Sequence, residues 1–421
     1  MKNSHGSKDD YTAYRQLQQH LDKQPIGFPP AKNGEDIKLL QHIFSPNEAL
    51  IATCLSHETE PLSTIFQRTG HLVDSREDLE ARLDAMVKKG GLEFSKKNGT
   101  KHYGNAPLVV GMYELQVNRL TPEFIKDFKA YTSQKRYGIS FLSTKLSQMR
   151  TIPINKSITP ELSVPDFDQI RELVSAANGP FVILPCICRK KKGLLGEPCK
   201  QTERTETCMA MGDIAQTLIK MELGRKINRG EAMEIIRDNQ RDGLVLQPGN
   251  TKKIELLCAC CGCCCSMLSL QKSLPLPLDF WAADYKVVFN QDKCIGCGKC
   301  VSRCQTDALT IKKQQAKKAQ INSSKSKTEK DRPKPRLNLN RCIGCGHCVA
   351  TCPSHALTLE AKSSRKAPPT TRHELNTLFL KEKQNPLAPV KVIGKLAKGI
   401  LTTGDIRLLK SEENADEPGQ P

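Results

Sequence analysis

Two segments, CIGCGKCVSRCQTDALTI at residues 294–311 and CIGCGHCVATCPSHALTL at 342–359, are copies of one pattern and constrain the fold more than any other feature of the chain. Their cysteines share the spacing C-x2-C-x2-C-x3-C: Cys294, Cys297, Cys300 and Cys304, then Cys342, Cys345, Cys348 and Cys352, with Pro353 following the last. Three thiols at two-residue intervals on a tight loop can wrap three corners of an inorganic cubane, leaving the fourth corner for a remote cysteine. Gly296, Gly298, Gly344 and Gly346 suit such a loop, because backbone lacking a Cβ can bring its amides up to sulfur. Ile295 and Ile343 are placed to cover the loop from water.

The chain has 19 cysteines among 421 residues, a hydrophobic fraction of 38% and an aromatic fraction of 5%. Such a composition gives several domains thin cores, and metal ligation supplies folding free energy that apolar burial does not. The alternative use of the cysteines, disulfides, belongs to an oxidising compartment. The start, Met1-Lys2-Asn3-Ser4-His5-Gly6, has no apolar h-region, and no stretch reaches the roughly 18 to 20 apolar residues of a spanning helix. A cytoplasmic chain with reduced, ligand-bearing thiols is the expectation. A zinc ribbon would need two C-x2-C pairs and would leave the third and fourth cysteines of each run without a role.

The duplicated segment resembles the bacterial-type ferredoxins that carry two [4Fe-4S] clusters. The resemblance covers about 75 residues, from 285 to 360. It implies single-electron transfer and a crossed ligand pattern: Cys294, Cys297, Cys300 and Cys352 for one cluster, Cys342, Cys345, Cys348 and Cys304 for the other. The short segments 286–289 and 309–311, then 337–339 and 357–359, read as strands pairing around each loop. Two features depart from the family. Gln305 stands where a proline is expected, and residues 312–336, KKQQAKKAQINSSKSKTEKDRPKPR, form a basic insert that reads as disordered. Lengthening a loop costs only about 0.6 kcal/mol per doubling, so the insert leaves crossed ligation possible.

A second cysteine-rich region lies upstream. Phe181-Val182-Ile183-Leu184-Pro185 reads as a buried strand leading into Cys186, Cys188 and Arg189, with Cys199 and Cys208 beyond. Those four cysteines could share one metal centre, zinc among the possibilities. Asn228-x-x-Glu231 reads as a capping box for a helix ending near Gly243. Then come Cys258, Cys260, Cys261, Cys263, Cys264 and Cys265, six cysteines within eight residues. Cys258, Cys261 and Cys264 repeat the cubane spacing, while Cys260 and Cys263 offer a competing register. The ten upstream cysteines could supply one or two further [4Fe-4S] clusters. The PCICR and CxCCGCCC elements resemble those of 4Fe-4S binding proteins of anaerobic bacteria, which implies electron transfer and names no reaction. Cys54, on an apolar helical face, reads as a packed thiol.

Residues 41–106 resemble a winged helix. Ser45 caps a first helix, Leu62, Ile65 and Phe66 mark a second, Leu79, Leu83, Met86 and Val87 a third, and Asn98-Gly99 is the turn of a hairpin. The formal charge of +19 invites a DNA-binding reading. Against it, Glu77, Asp78, Glu80 and Asp84 offset Arg76, Arg82, Lys88 and Lys89 on the third helix. That balance favours protein docking.

The expected architecture is α+β and multidomain: a polar segment over 1–40, the winged-helix-like domain over 41–106, a mostly helical connector over 107–180 and a cysteine-rich domain over 181–275. A two-cluster domain over 280–362 and a basic tail over 363–421 complete it. In the tail, read as partly disordered, Ile393, Leu396, Ile400 and Leu401 oppose Lys391, Lys395 and Lys398, a pattern that could lie on an anionic surface or a partner. Gly394 and Gly399 weaken any helix there and favour packing on its own protein, or disorder. The functional expectation is an iron–sulfur electron carrier with protein redox partners, acidic ones favoured by the basic insert. The alternatives are a redox-responsive DNA-binding regulator and the cluster subunit of a larger oxidoreductase.

Overall fold

The computed structural model describes residues 8–159, 162, 164–311 and 332–408. Most of the basic insert, 312–331, and the last part of the tail, 409–421, lie outside that set. Helices and sheets are mixed, in keeping with an α+β chain.

The segment over 1–40 that reads as polar contains an amphipathic helix. Lys8–Asp22 is a helix, and Ala13, Tyr14, Leu17 and Leu21 are buried along one side of it. Its apolar residues are few but fall three or four apart, which suffices to bury one stripe. The helix Pro46–Ala52 starts in a reciprocal cap: Ser45 Oγ accepts from Glu48 N, and the Glu48 carboxylate accepts from Ser45 N at 2.8 Å. Helices Leu62–Thr69 and Arg76–Lys88 follow, then strands Leu92–Lys97 and Thr100–Asn105. Asn98 (φ 49) and Gly99 (φ 79) make the two-residue turn between those strands, both left-handed as the strand twist demands. Glu60–Pro61 pairs with Thr100–Asn105, which becomes the middle strand of three.

At the centre lies a five-stranded antiparallel sheet ordered Arg225–Ile227, Phe181–Pro185, Glu206–Met211, Leu256–Cys260 and Val245–Pro248. Side chains alternate across it. One face presents Ile183, Met209, Leu246 and Leu257 to Leu173, Val174, Ala232 and Ile236 of the helices Ile170–Ala176 and Arg229–Arg241. Asn228 starts the second of these by accepting from Glu231 N at 2.9 Å, but the Glu231 carboxylate reaches Arg225 instead of closing the box. The opposite face carries Val182, Leu184 and Ala210 into the core shared with the N-terminal helices, together with Cys208, Cys258 and Cys260.

The duplicated segment does not pair its strands around each loop as expected. Tyr285–Phe289 pairs with Leu357–Ala361, and Leu309–Thr310 with Arg336–Leu337, so each small sheet joins the first half to the second. Two equivalent loops that exchange strands bury Val287, Leu309, Leu357 and Leu359 in one common core, which separate hairpins would not. Arg150 and Asp168, both buried, form an ion pair beneath this module, and Tyr285 donates its hydroxyl to Asp168 at 2.9 Å.

The tail forms the helices Arg372–Lys383 and Ala388–Thr403 despite Gly394 and Gly399. Leu375, Phe379 and Val392 are buried against the body, while Val390, Ile393 and Leu401 are exposed. Among the described residues no helix is long and apolar enough to cross a membrane.

Candidate metal centres

The cysteines gather into four groups. Cys294, Cys297, Cys300 and Cys352 line one small cavity beneath Ile295, and Cys304, Cys342, Cys345 and Cys348 line a second. These are the two crossed sets. Each run enters its short helix from a left-handed glycine, Gly298 (φ 72) and Gly346 (φ 80). At Gly344 the need is steric as well, since a Cβ there would collide with the Tyr285 carbonyl oxygen. Amides reach the sulfurs: Ala308 N donates to Cys304 Sγ at 3.2 Å and Ala356 N to Cys352 Sγ at 3.3 Å, at equivalent places in the two copies. Burial pushes the Cys300 thiol up to about 11, assisted by Cys294, Cys297 and Cys352, and pushes Cys345 up to about 12. Thiols in such surroundings stay protonated unless a metal replaces the proton. Cys297 is exposed and Cys348 buried, so the first set lies nearer the surface than the second.

Upstream, the structure separates Cys199 from Cys186, Cys188 and Cys208, with which the sequence had grouped it. Cys199 lies instead beside the turn that follows the strand Leu256–Cys260. The Cys199, Cys261, Cys263 and Cys264 sulfurs all lie within 4.8 Å of one another. Cys199 is 3.6 Å from Cys261 and 3.9 Å from Cys263, and Cys263 is 3.5 Å from Cys261 and 3.7 Å from Cys264. Four sulfurs bound at about 2.3 Å to one tetrahedral metal are separated by about 3.8 Å, the tetrahedron's edge. The tetrad therefore has the dimensions of a single-metal site, whereas thiolates on four different irons of a cubane stand farther apart. Burial raises the Cys199 thiol, but the amides of Gln201 and Thr202 and the guanidinium of Arg189 bring it down to about 6.

The remaining upstream cysteines, Cys186, Cys188, Cys208, Cys258, Cys260 and Cys265, line a single cavity. The spacing C-x2-C-x2-C of Cys258, Cys261 and Cys264 is thus split between two sites. Cys258 and Cys260 lie on a strand and share a face at a period of two, and the chain turns only at Cys261.

Arg189 stands between the two upstream groups. It is 5% exposed, donates to the Ala259 carbonyl at 2.9 Å and to Thr207 Oγ1, and approaches Cys261 Sγ at 4.0 Å. Burial works against its charge, yet Cys186, Cys261 and Cys199 hold it above its ordinary value. No carboxylate pairs with it among the described residues. A buried guanidinium needs anionic neighbours, and the groups beside this one that can become anionic are the Cys186, Cys261 and Cys199 sulfurs.

Sequence reasoning missed Gln247, and it noted Gln305 as a departure from the family without foreseeing its bond. Gln305, the residue in the proline's place, accepts from Gly262 N at 2.7 Å and so joins the Cys304 loop to the tetrad turn. Gln247 lies opposite Cys258 in the sheet. The available signal was a long polar residue in an otherwise apolar or proline position. The cubane loops also touch the sheet directly. Ile343 packs with Cys260 and Cys265, and His347 Nε2 meets the Leu244 carbonyl at 2.9 Å.

No curated protein and no solved structure matches the chain. Residues 293–356, which hold both crossed sets, match the family model of the 4Fe-4S dicluster domain, and with the clustered cysteines this supports 4Fe-4S clusters and an iron–sulfur electron-transfer role.

Proposed function

We propose that the protein relays single electrons between a partner and its own interior. One [4Fe-4S] cluster is held by Cys294, Cys297, Cys300 and Cys352, and a deeper one by Cys304, Cys342, Cys345 and Cys348. The observation that carries this reading is the gathering of the crossed sets around two separate cavities, one next to exposed Cys297 and the other next to the upstream cysteines. The outer cluster meets the partner, the inner one faces the sheet, and the Cys199 tetrad holds a single zinc or iron. The thiolates hold and tune iron; they are not acids, bases or nucleophiles. The basic insert favours an acidic redox protein, and steering of that kind weakens as salt is added.

The helix and hairpin unit of the N-terminal third supports docking over DNA binding, because its charged face is engaged within the chain. Asp84 accepts from Lys220 at 2.7 Å and from Tyr103 at 2.8 Å, Phe94 N donates to Thr217 at 2.9 Å, and Lys96 N donates to Gln216 at 2.7 Å.

The test is anaerobic purification with iron, sulfide and EPR analysis. Cys300→Ala and Cys348→Ala should each remove a different half of the about eight ferredoxin-type irons. If both variants retain the full iron content and the spectrum of the parent, the relay reading fails.

A further inference from the structure

The six upstream thiols outside the tetrad, Cys186, Cys188, Cys208, Cys258, Cys260 and Cys265, converge on one cavity. Three of them, Cys208, Cys258 and Cys260, project from one face of the hydrogen-bonded sheet. Cys186 and Cys188 come from the start of the helix Ile187–Leu194, and Cys265 from the start of the helix Ser266–Ser273. Sulfurs gathered from four separate elements are not a by-product of local cysteine density.

That cavity is about 110 Å³, compared with about 20 and about 10 Å³ at the two ferredoxin-type sites. Its walls beyond the sulfurs are largely apolar, with Leu184, Ile187, Leu218 and Met267 among them. The polar residues of the lining are Glu93, Glu114, Thr217 and Gln247, and the first three are hydrogen-bonded to the protein. Gln247 is 0% exposed, lines the cavity beside Cys258, and neither its Nε2 nor its Oε1 has a hydrogen-bond partner among the described residues. A buried amide left unpaired is costly, so its place in this wall calls for a polar group inside the cavity.

We propose that this chamber binds one polynuclear iron–sulfur group that uses all six thiolates, with the Gln247 amide donating a hydrogen bond to one of its sulfurs. Six ligands exceed the four that a cubane needs, and the larger cavity matches a group larger than the ferredoxin-type ones. Arg189 supplies positive charge beside Cys186 to balance the thiolates. Ile343 and Cys345 of the inner ferredoxin-type loop pack in one cluster with Cys258, Cys260 and Cys265, which places the group next in line for electrons. The proposal rests on the reading of the upstream cysteines as metal ligands.

The test uses the full chain purified without oxygen, with iron and sulfide counts and Mössbauer and EPR spectra. The ferredoxin-type signals serve as an internal control for folding. Serine at each of Cys186, Cys188, Cys208, Cys258, Cys260 and Cys265 in turn should alter the same non-ferredoxin signal, and Cys199→Ser should leave that signal in place. Gln247→Leu, which conserves volume, should keep the iron and shift the signal's midpoint potential or line shape. If any two of the six replacements leave the signal and iron count unchanged, the group is an ordinary four-thiolate cluster and the proposal is overturned. An unchanged signal in Gln247→Leu removes the amide contact. Iron confined to the about eight atoms of the ferredoxin module, with no metal lost in Cys199→Ser, would instead defeat the wider reading of the upstream cysteines.

Discussion

Gln305 Oε1 accepts a hydrogen bond of 2.7 Å from the backbone N–H of Gly262, linking the residue after Cys304 to the turn between Cys261 and Cys263. The Gln305 amide nitrogen lies 3.4 Å from the Gly243 carbonyl, and the residue is buried. A proline at this position would have no side-chain hydrogen-bonding group to offer. The departure from the ferredoxin pattern therefore adds one of the bonds that tie the module to the rest of the chain.

Gln305→Ala should leave the Gly262 amide buried without a partner and cost about 1–3 kcal/mol. Gly262→Ala should be worse tolerated, because its Cβ would collide with the Gln305 carbonyl oxygen, a backbone atom that cannot swing away. Urea unfolding of both variants checks this. Midpoints equal to that of the parent would show that the contact contributes nothing.

Asp168→Asn should destabilise the protein by about 3–5 kcal/mol, since it leaves the Arg150 charge buried against a neutral group. Arg150 also donates to the Gly249 and Thr251 carbonyls at 2.6 and 2.9 Å, so it cannot turn out to solvent without breaking those bonds. The loss should appear in thermal and chemical denaturation alike.

Glu114 gives a pH signature of definite sign. Its exposed edge faces the six-thiol cavity and its carboxylate accepts from Gly111 N at 2.9 Å, but burial pushes its carboxyl up to about 8. A carboxyl raised above its unfolded value of 4.5 favours folding below that value, and the contribution is lost as pH rises toward about 8. Stability should fall across that window by at most about 1.4 kcal/mol per pH unit from this group. Glu114→Gln should flatten the profile between pH 5 and 8, as measured by denaturant titrations at each pH; an unaltered slope would assign the dependence elsewhere.

Cys199→Ser should release about one metal equivalent while sparing the about eight irons of the ferredoxin module. Elemental analysis of the variant beside the parent reads this directly. Loss of about four irons would replace the single-metal site with a cubane.

The parts of this molecule that could be read from the chain are those governed by neighbours in sequence. The C-x2-C-x2-C loops, the Ser45 cap, the Asn98-Gly99 turn and the strand at Phe181–Pro185 all depend on residues within a few positions of one another. The upstream cysteines were harder, because Cys199 meets Cys261 across 62 positions and no local rule reports that distance. The clue that was present, Leu256-Leu257-Cys258-Ala259-Cys260 alternating as a strand, was outweighed by the more familiar loop spacing of Cys258, Cys261 and Cys264. The exchange of strands between the duplicated halves was hidden for the same reason, since local alternation shows that a strand exists but not which strand it joins.

The sheet that carries Cys208, Cys258 and Cys260 is clamped from behind by Met209, Leu246 and Leu257 against two helices. Sulfurs mounted on so stiff a frame can shift little when the charge among them changes. Reorganisation on gaining or losing an electron should then be small, and a centre built in this way exchanges electrons quickly over a modest driving force.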